Sequence, residues 1–119
     1  MLETMAFPRF SEETFLKDIT KWIETGGSAG ILHPESGWSL LHFAAEFQDV
    51  AAIEYLINSG CALNLRDKDG QTPLHIAIDS EIDAAIQNGE SLEYRATRRL
   101  VELGADTTIQ DSRGESPIA

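Results

Sequence analysis

The chain has 119 residues, with 20 acidic side chains against nine basic ones and a formal net charge of −11 at pH 7. This length predicts one domain with a modest core. The negative field disfavours nucleic acid and anionic membrane surfaces and favours encounter with cationic partners, although acidity also serves solubility. No apolar stretch reaches the length of a membrane span, and Met1–Arg9 lacks the pattern of a secretory signal. Because Cys61 is the only cysteine, no internal disulfide can form, and we expect a cytoplasmic protein.

The first predicted element is an amphipathic helix over 11–24. Ser11 is a suitable N-terminal cap, and the glycine pair after Thr25 ends the helix. Its apolar positions recur at helical spacing and predict one buried face, formed by Phe15, Leu16, Ile19, Trp22 and Ile23.

The next two elements repeat each other. The segment 67–77 reads DKDGQTPLHIA, and 33 residues earlier the segment 37–45 carries Gly, Leu, His and Ala at the same offsets. Gly27 and Gly60, which each close a helix-like segment, are also 33 residues apart. A fixed period near 33 with the pattern T-P-L-H-x-A resembles the ankyrin repeat.

The resemblance implies an all-α solenoid of stacked helix-turn-helix units with short β-turn fingers, in which neighbouring repeats bury one another's apolar faces. We divide the single domain into an N-terminal capping half-repeat, two complete repeats and the start of a further repeat, at 11–33, 34–66, 67–110 and 111–119. Glycines at the turn tips are expected to adopt a positive backbone angle, and Thr72 and Pro73 are expected to begin the first helix of the middle repeat.

The middle repeat departs from the family by an 11-residue insertion, 81–91. Helical spacing continues through Ile78, Ile82 and Ile86, and Asn88-Gly89 is a turn signal. With a second helix predicted over 92–103, we expect a helical hairpin that is longer than usual in both arms. Arg95, Arg98 and Arg99 share a face of this second helix, which is expected to be solvated and paired with Glu93 and Glu102.

A calcium-binding loop is the rival interpretation of the insertion. Asp79, Glu81, Asp83 and Glu90 occupy the first, third, fifth and twelfth places of a twelve-residue loop. The sixth place, which should be Gly, is Ala84, so helix is the favoured prediction.

The histidines have a structural role by the same resemblance. His42 and His75 are expected to hydrogen-bond within their own loops and to the neighbouring repeat. Ser39 and His42 have no third group to orient a base, so no catalytic set is predicted. We therefore predict no catalytic residue, no metal site and no cofactor, and Cys61 is expected to be a packed thiol rather than a reactive one.

The binding surface that the family implies consists of the turn tips and the exposed side of each first helix. Two aromatic residues on it, Trp38 and Phe47, are unusual for the family. They are either binding hot spots or are packed beneath the N-terminal segment or the elongated helix. Carried over by offset, the predicted protein-binding residues are Glu35, Ser36, Trp38, Glu46, Phe47, Lys68, Asp69, Gln71, Asp79, Ser80 and Asp83.

The predicted function is non-catalytic protein–protein interaction, as an adaptor or inhibitor that binds through its concave groove and turn tips. A bacterial immunity-type protein that neutralises a cationic toxin such as a nuclease is the alternative, argued from fold and charge. Enzyme and calcium-binding functions are remote alternatives. We expect a monomer that binds a protein partner, and a basic partner is one option. We expect it to bind neither nucleic acid nor membrane.

Overall fold

The computed structural model describes residues 7–88 and 94–117, apart from the side chains of Ala84 and Asn88. Within these ranges the chain forms five α-helices: α1 (Phe15–Glu24), α2 (Leu40–Glu46), α3 (Val50–Asn58), α4 (Pro73–Asn88) and α5 (Arg95–Glu102). The one β-type pairing found in the same ranges is an isolated antiparallel bridge between Leu32 and Ser39. The predicted all-α architecture is confirmed.

The helices lie in two layers. α2 packs against α4 in the inner layer, and α3 contacts both α1 and α5 in the outer layer. Each inner helix also packs against the outer helix that follows it, α2 against α3 and α4 against α5. This is the stacked helix-turn-helix arrangement that the repeat predicted, and the molecule is elongated, with extents of 47 × 29 × 26 Å.

Local signals in the sequence explain where the helices begin. The Ser39 side chain accepts a hydrogen bond from the His42 amide and caps α2, while Asp49 accepts from the Ala52 amide and caps α3. These side chains satisfy amides at the start of a helix that have no partner within it. Pro73 begins α4, where the absence of an amide proton costs nothing.

One continuous core runs between the layers. Its largest members are completely buried side chains that come from α1, α2, α3, α4 and α5, namely Phe15, Ile19, Leu40, Leu41, Ile53, Leu56, Leu74 and Leu100. The buried alanines Ala44 and Ala77 lie on the inner helices and allow α2 and α4 to approach closely. Every helix therefore depends on its neighbours to cover its apolar face.

The N-terminal helix starts later than predicted. Ser11 does not cap it directly: its hydroxyl oxygen accepts a hydrogen bond from the Thr14 amide, at 3.3 Å, within a turn that precedes α1. The helix begins at Phe15, and Thr14 in the capping position makes no side-chain cap. Thr14 instead donates to the Asp18 carboxylate at 2.6 Å.

The hairpin in the middle repeat is elongated in its first arm only. α4 has 16 residues against seven for α2, so the prediction for this arm is confirmed. The prediction of a longer second arm is wrong, because Tyr94 adopts a left-handed backbone (φ 55°) and α5 begins at Arg95 with eight residues. The predicted cap, Ser91, and the turn glycine, Gly89, lie outside the described residues.

No helix among the described residues is both long enough and apolar enough to cross a membrane.

Phe15 provides a test of the core that joins the N-terminal helix to the stack. Its ring is completely buried and contacts the rings of Phe10 and Phe47 at centroid separations of 4.7 and 5.1 Å. We expect Phe15→Ala to lower the free energy of unfolding by about 3–5 kcal/mol, because a large cavity remains. Chemical denaturation measures the change. The control Val101→Thr, at a side chain exposed by 40%, should change it by less than about 0.5 kcal/mol; similar losses in both variants would contradict the packing described.

Candidate protein-binding surface

The turn tips, or fingers, are built around two buried aspartates. Asp67 Oδ1 accepts hydrogen bonds from the amides of Asp69 and Gln71, at 2.8 and 2.9 Å. Asp111 repeats the arrangement one finger later with the amides of Arg113 and Glu115, at 2.9 and 3.0 Å. These bonds hold the pKa of the Asp111 carboxyl below its usual range. Each of these two fingers is therefore fixed by an aspartate at its base.

Neighbouring fingers are joined by their backbones. The Lys68 amide donates to the Ser36 carbonyl at 3.1 Å, and the Ser112 amide donates to the Asp69 carbonyl at 2.9 Å. Gly70 is required at the second junction for two reasons. Its φ is +76°, and a side chain there would meet the Ser112 amide nitrogen at 2.9 Å.

The two histidines link each repeat to the next. His42 Nδ1 accepts from the Ser39 amide at 3.1 Å, so Nε2 carries the proton and donates to the Gln71 carbonyl at 2.9 Å. His75 makes the equivalent bonds, from the Thr72 amide at 3.0 Å and to the Glu115 carbonyl at 2.9 Å. Both rings are buried. The predicted structural role of these histidines is confirmed by this geometry.

His42 is neutral in the folded protein. Burial lowers its pKa below the ordinary value of 6.5, more than the hydrogen bond to Gln71 and the charge of Asp67 raise it. A protonated ring would lose the acceptor at Nδ1 on which the linkage depends. Both ring nitrogens of His42 are thus used in hydrogen bonds within the fold, so neither is free to accept a proton as a base.

Trp38 lies at the base of the first finger. Its indole Nε1 donates to Asp67 Oδ2 at 2.9 Å, and its ring stacks on that of His42 with centroids 5.9 Å apart. The side chain is half-buried. Trp38 therefore supports the finger of the next repeat while keeping part of its ring at the surface.

Phe47 lies under the N-terminal segment. Its ring contacts Phe10 and Phe15 at 6.2 and 5.1 Å, and both Phe10 and Phe7 pack on Phe43 of the same helix. Packing beneath the N-terminal segment was the alternative to a hot spot for this residue, and the contacts favour it. The role of Phe47 in binding stays a prediction.

Acidic side chains lie together where α2 and α4 adjoin. Partial removal of water raises the pKa of Glu46, and the charges of Asp83, Glu12 and Asp79 raise it further. The pKa of Asp79 is raised in the same way, first by desolvation and then by Asp83. Like charges are therefore close to one another at this junction, and we call Glu12, Glu46, Asp79 and Asp83 the acidic face.

The remaining predicted residues lie at the fingers or at the junction of α2 and α4. Glu35, Lys68 and Asp69 are exposed at the fingers, and Ser36 and Gln71 are half-buried there. Ser80 donates to the Glu46 carbonyl at 2.6 Å and fixes α4 against the end of α2. Every predicted binding residue is therefore exposed or half-buried, although the ring of Phe47 is packed against that of Phe10, and their role in binding stays a prediction.

Two features of this surface were not predicted. Glu12, from the N-terminal segment, joins the acidic face, and only its tertiary position reveals this. Gln48 donates from its side-chain amide to the carbonyls of Ala45 and Ala77, at 3.2 and 2.8 Å, and so ties α2 to α4. Its left-handed backbone (φ 56°) is uncommon for a non-glycine residue and has no signal in the sequence.

Arg95, Arg98 and Arg99 lie on α5, in the outer layer of helices. Arg99 pairs with Glu102, as predicted, at 3.2 Å, and also with Glu54 of α3 at 2.8 Å, a contact between repeats that was not predicted. Glu93 lies outside the described residues. These pairs are solvent-exposed and contribute little to stability.

Two other features considered from the sequence are Cys61 and the rival calcium-binding loop. The Cys61 thiol is buried, donates to the Ala29 carbonyl at 3.0 Å and has its pKa raised to about 11 by burial, as befits a packed thiol. Asp79, Glu81 and Asp83 belong to the continuous helix α4, a backbone that is incompatible with a calcium-binding loop, and Glu90 lies outside the described residues. Among the described residues no group of His, Cys, Asp and Glu could hold a metal ion.

Stacked helical pairs, fingers joined edge to edge and a histidine linking each repeat to the next define a helical-repeat solenoid. A family described as ankyrin repeats (3 copies) matches residues 12–111 of the sequence. The chain belongs to the ankyrin-repeat family, whose members are protein–protein interaction modules.

Several proteins of known sequence are similar to this chain. SH3 and multiple ankyrin repeat domains protein 2 of Homo sapiens is 32% identical over 108 residues, which cover 90% of this chain. Protein phosphatase 1 regulatory subunit 12A of Mus musculus is 36% identical over 66 residues, 56% of the chain. The aligned parts span only 5% and 6% of those two proteins. A putative ankyrin repeat protein of Rickettsia felis is 30% identical over 71% of the chain and 36% of its own length.

Asp79 tests the electrostatics of the acidic face. Because its folded-state pKa is raised above the ordinary 3.8, the ionised carboxylate opposes folding at pH 7. We expect Asp79→Asn to raise the free energy of unfolding at pH 7 by at most about 1 kcal/mol, since solvent screens the charges. This gain should shrink as the pH falls through the raised pKa and vanish below 3.8, where the wild-type carboxyl is also neutral.

Denaturant titrations over a range of pH measure this difference, and Asp106 supplies the control. Its pKa is lowered by hydrogen bonds from Thr108, so Asp106→Asn should reduce stability at pH 7. A destabilising Asp79→Asn at neutral pH would contradict the mutual repulsion inferred for the acidic face.

Proposed function

We propose that this ankyrin-repeat protein is an adaptor or inhibitor that binds a basic protein through the acidic face and the fingers. The observation that carries the proposal is the convergence of four exposed acidic side chains, Glu12, Glu46, Asp79 and Asp83. Burial raises the pKa of Glu46, and the charges of Asp83, Glu12 and Asp79 raise it further. A protein that holds ionised carboxylates together at its surface gains free energy when a cationic partner neutralises them.

The fingers support the same surface. Asp67 fixes the backbone that carries Lys68 and Asp69, and the hydrogen bond from the Lys68 amide to the Ser36 carbonyl joins it to the finger of Glu35. The backbone positions of these three exposed residues are therefore set before a partner arrives. Preorganisation of this kind reduces the entropy lost on binding. Asp69 and Glu35 extend the negative charge toward the tips.

An immunity-type role is the second candidate. The net charge of −11 on 119 residues favours it, because an inhibitor of a nuclease or another cationic toxin gains affinity by presenting negative charge to the basic site of its target. In either role we propose that the protein acts without catalysis, as a cytoplasmic monomer whose partner is a protein rather than nucleic acid or membrane.

Affinity capture from the host, with the tagged chain as bait, tests the proposal. We expect a basic protein to be retained at about 50 mM salt and largely lost at about 300 mM, because screening weakens exposed charge pairs. Glu46→Gln with Asp79→Asn should reduce capture by about tenfold. The matched control, Glu13→Gln with Glu24→Gln, removes the same charge from exposed positions of the N-terminal segment and should capture normally.

The outcomes distinguish the roles. A captured basic enzyme whose activity falls when this chain is added indicates an inhibitor, whereas retained activity in a larger assembly indicates an adaptor. Capture of a neutral or acidic partner that survives the salt wash, with both double variants binding equally, would contradict a role for the acidic face.

A further inference from the structure

Helix α4 extends well past the helix beside it. α2 ends at Glu46, whose carbonyl accepts a hydrogen bond from the Ser80 hydroxyl of α4 at 2.6 Å. α4 continues for two further turns to Asn88. We call residues 81–88 the overhang.

The overhang carries exposed isoleucines in line with the core. Ile78, Ile82 and Ile86 are spaced four residues apart and form one stripe along α4. Ile78 packs against the core, but 39% of Ile82 and 76% of Ile86 are exposed. Ile86 is the most exposed large apolar side chain among the described residues. A single exposed isoleucine is ordinary, whereas two in register that continue a buried stripe form an apolar surface.

Acidic residues border this stripe on one side. Asp79 and Asp83 each lie one position after an isoleucine of the stripe and are themselves spaced four apart, so they form a parallel row. Their charges act on Glu46 across the junction with α2. The apolar stripe is therefore flanked by carboxylates that belong to the acidic face.

We propose that the overhang is a docking site for a basic amphipathic helix of a partner protein, whose apolar side chains cover Ile82 and Ile86 and whose Lys or Arg side chains meet Asp79 and Asp83. A helix suits this surface because its own apolar side chains recur every three or four residues and match the spacing of the isoleucines. The inference rests on the proposed function and adds the place and the form of the contact.

A second copy of this chain fits the surface less well. Two overhangs packed on each other would bring the acidic rows of two molecules together, each with a net charge of −11. Like charges brought together at an interface oppose association. The charge on the stripe's border thus selects a cationic partner over self-association.

A synthetic peptide tests the proposal directly. The probe is a fluorescein-labelled amphipathic helix of leucine and lysine, and its control is a scrambled peptide of the same composition that has no apolar face. We expect the amphipathic peptide to bind at least about tenfold more tightly than the scrambled one, by fluorescence anisotropy, and to shift the amide resonances of α4 around Ile82 and Ile86.

Variants locate the binding. Ile82→Ser with Ile86→Ser should weaken peptide binding by about tenfold, and it should leave the melting temperature nearly unchanged because serine and isoleucine have similar helix propensities. The matched control, Leu32→Ser with Val101→Ser, alters two side chains of 46% and 40% exposure elsewhere on the surface and should bind the peptide normally.

The results separate this inference from the proposed function. If both peptides bind equally, or if the amide shifts fall on the fingers and not on α4, the overhang is not the docking site, although the acidic face can still bind a basic protein. If the host partner is captured by the Ile82→Ser, Ile86→Ser variant as well as by the wild type, the overhang inference fails alone. If no basic partner is captured while the peptide still binds in the expected way, the proposed function fails and the overhang stands.

Discussion

The whole structure depends on one constraint, that no repeat can bury its own apolar face. α2 and α4 must pack on each other and on the outer helices, so their relative position has to be fixed. The hydrogen bonds from His42 to the Gln71 carbonyl and from His75 to the Glu115 carbonyl fix it with polar contacts inside the core. Because the rings are buried, a ring nitrogen left without a partner would lower the free energy of unfolding by about 1–3 kcal/mol.

Fixing the stack in this way determines where charge can lie. The side of α2 and α4 that is not used for packing carries the acidic face, and the fingers continue it at one end. At the N-terminus the aromatic rings of Phe7 and Phe10 cover Phe43 and Phe47, so that part of the inner layer becomes core. The carboxylates converge on the middle repeat, which carries the long helix α4, and this is where we propose that a partner binds.

The features that could be predicted from the sequence are those with a local or periodic signal. The repeat of Gly, Leu, His and Ala at offsets of 33 established the resemblance to ankyrin repeats, and that resemblance implied the stack, the finger turns and the histidine links. The isoleucine spacing predicted a long α4. Contacts between residues far apart in the chain were not predictable: the Trp38 indole bond to Asp67, the Arg99–Glu54 pair and the arrival of Glu12 beside Glu46. The start of α5 was predicted wrongly because Tyr94 adopts a left-handed backbone, and helix propensity does not indicate which residue will do so.

Nitrogen-detected NMR of the two histidine rings tests the central claim most directly, since the ring nitrogens report tautomer and protonation. The account predicts that both rings carry their proton on Nε2, with slow exchange of that proton. It also predicts that His42 titrates below its ordinary pKa of 6.5, because burial lowers its pKa. Protons on Nδ1, or a His42 ring that titrates at 6.5 as in an open loop, would contradict the link between repeats and with it the fixed position of the acidic face.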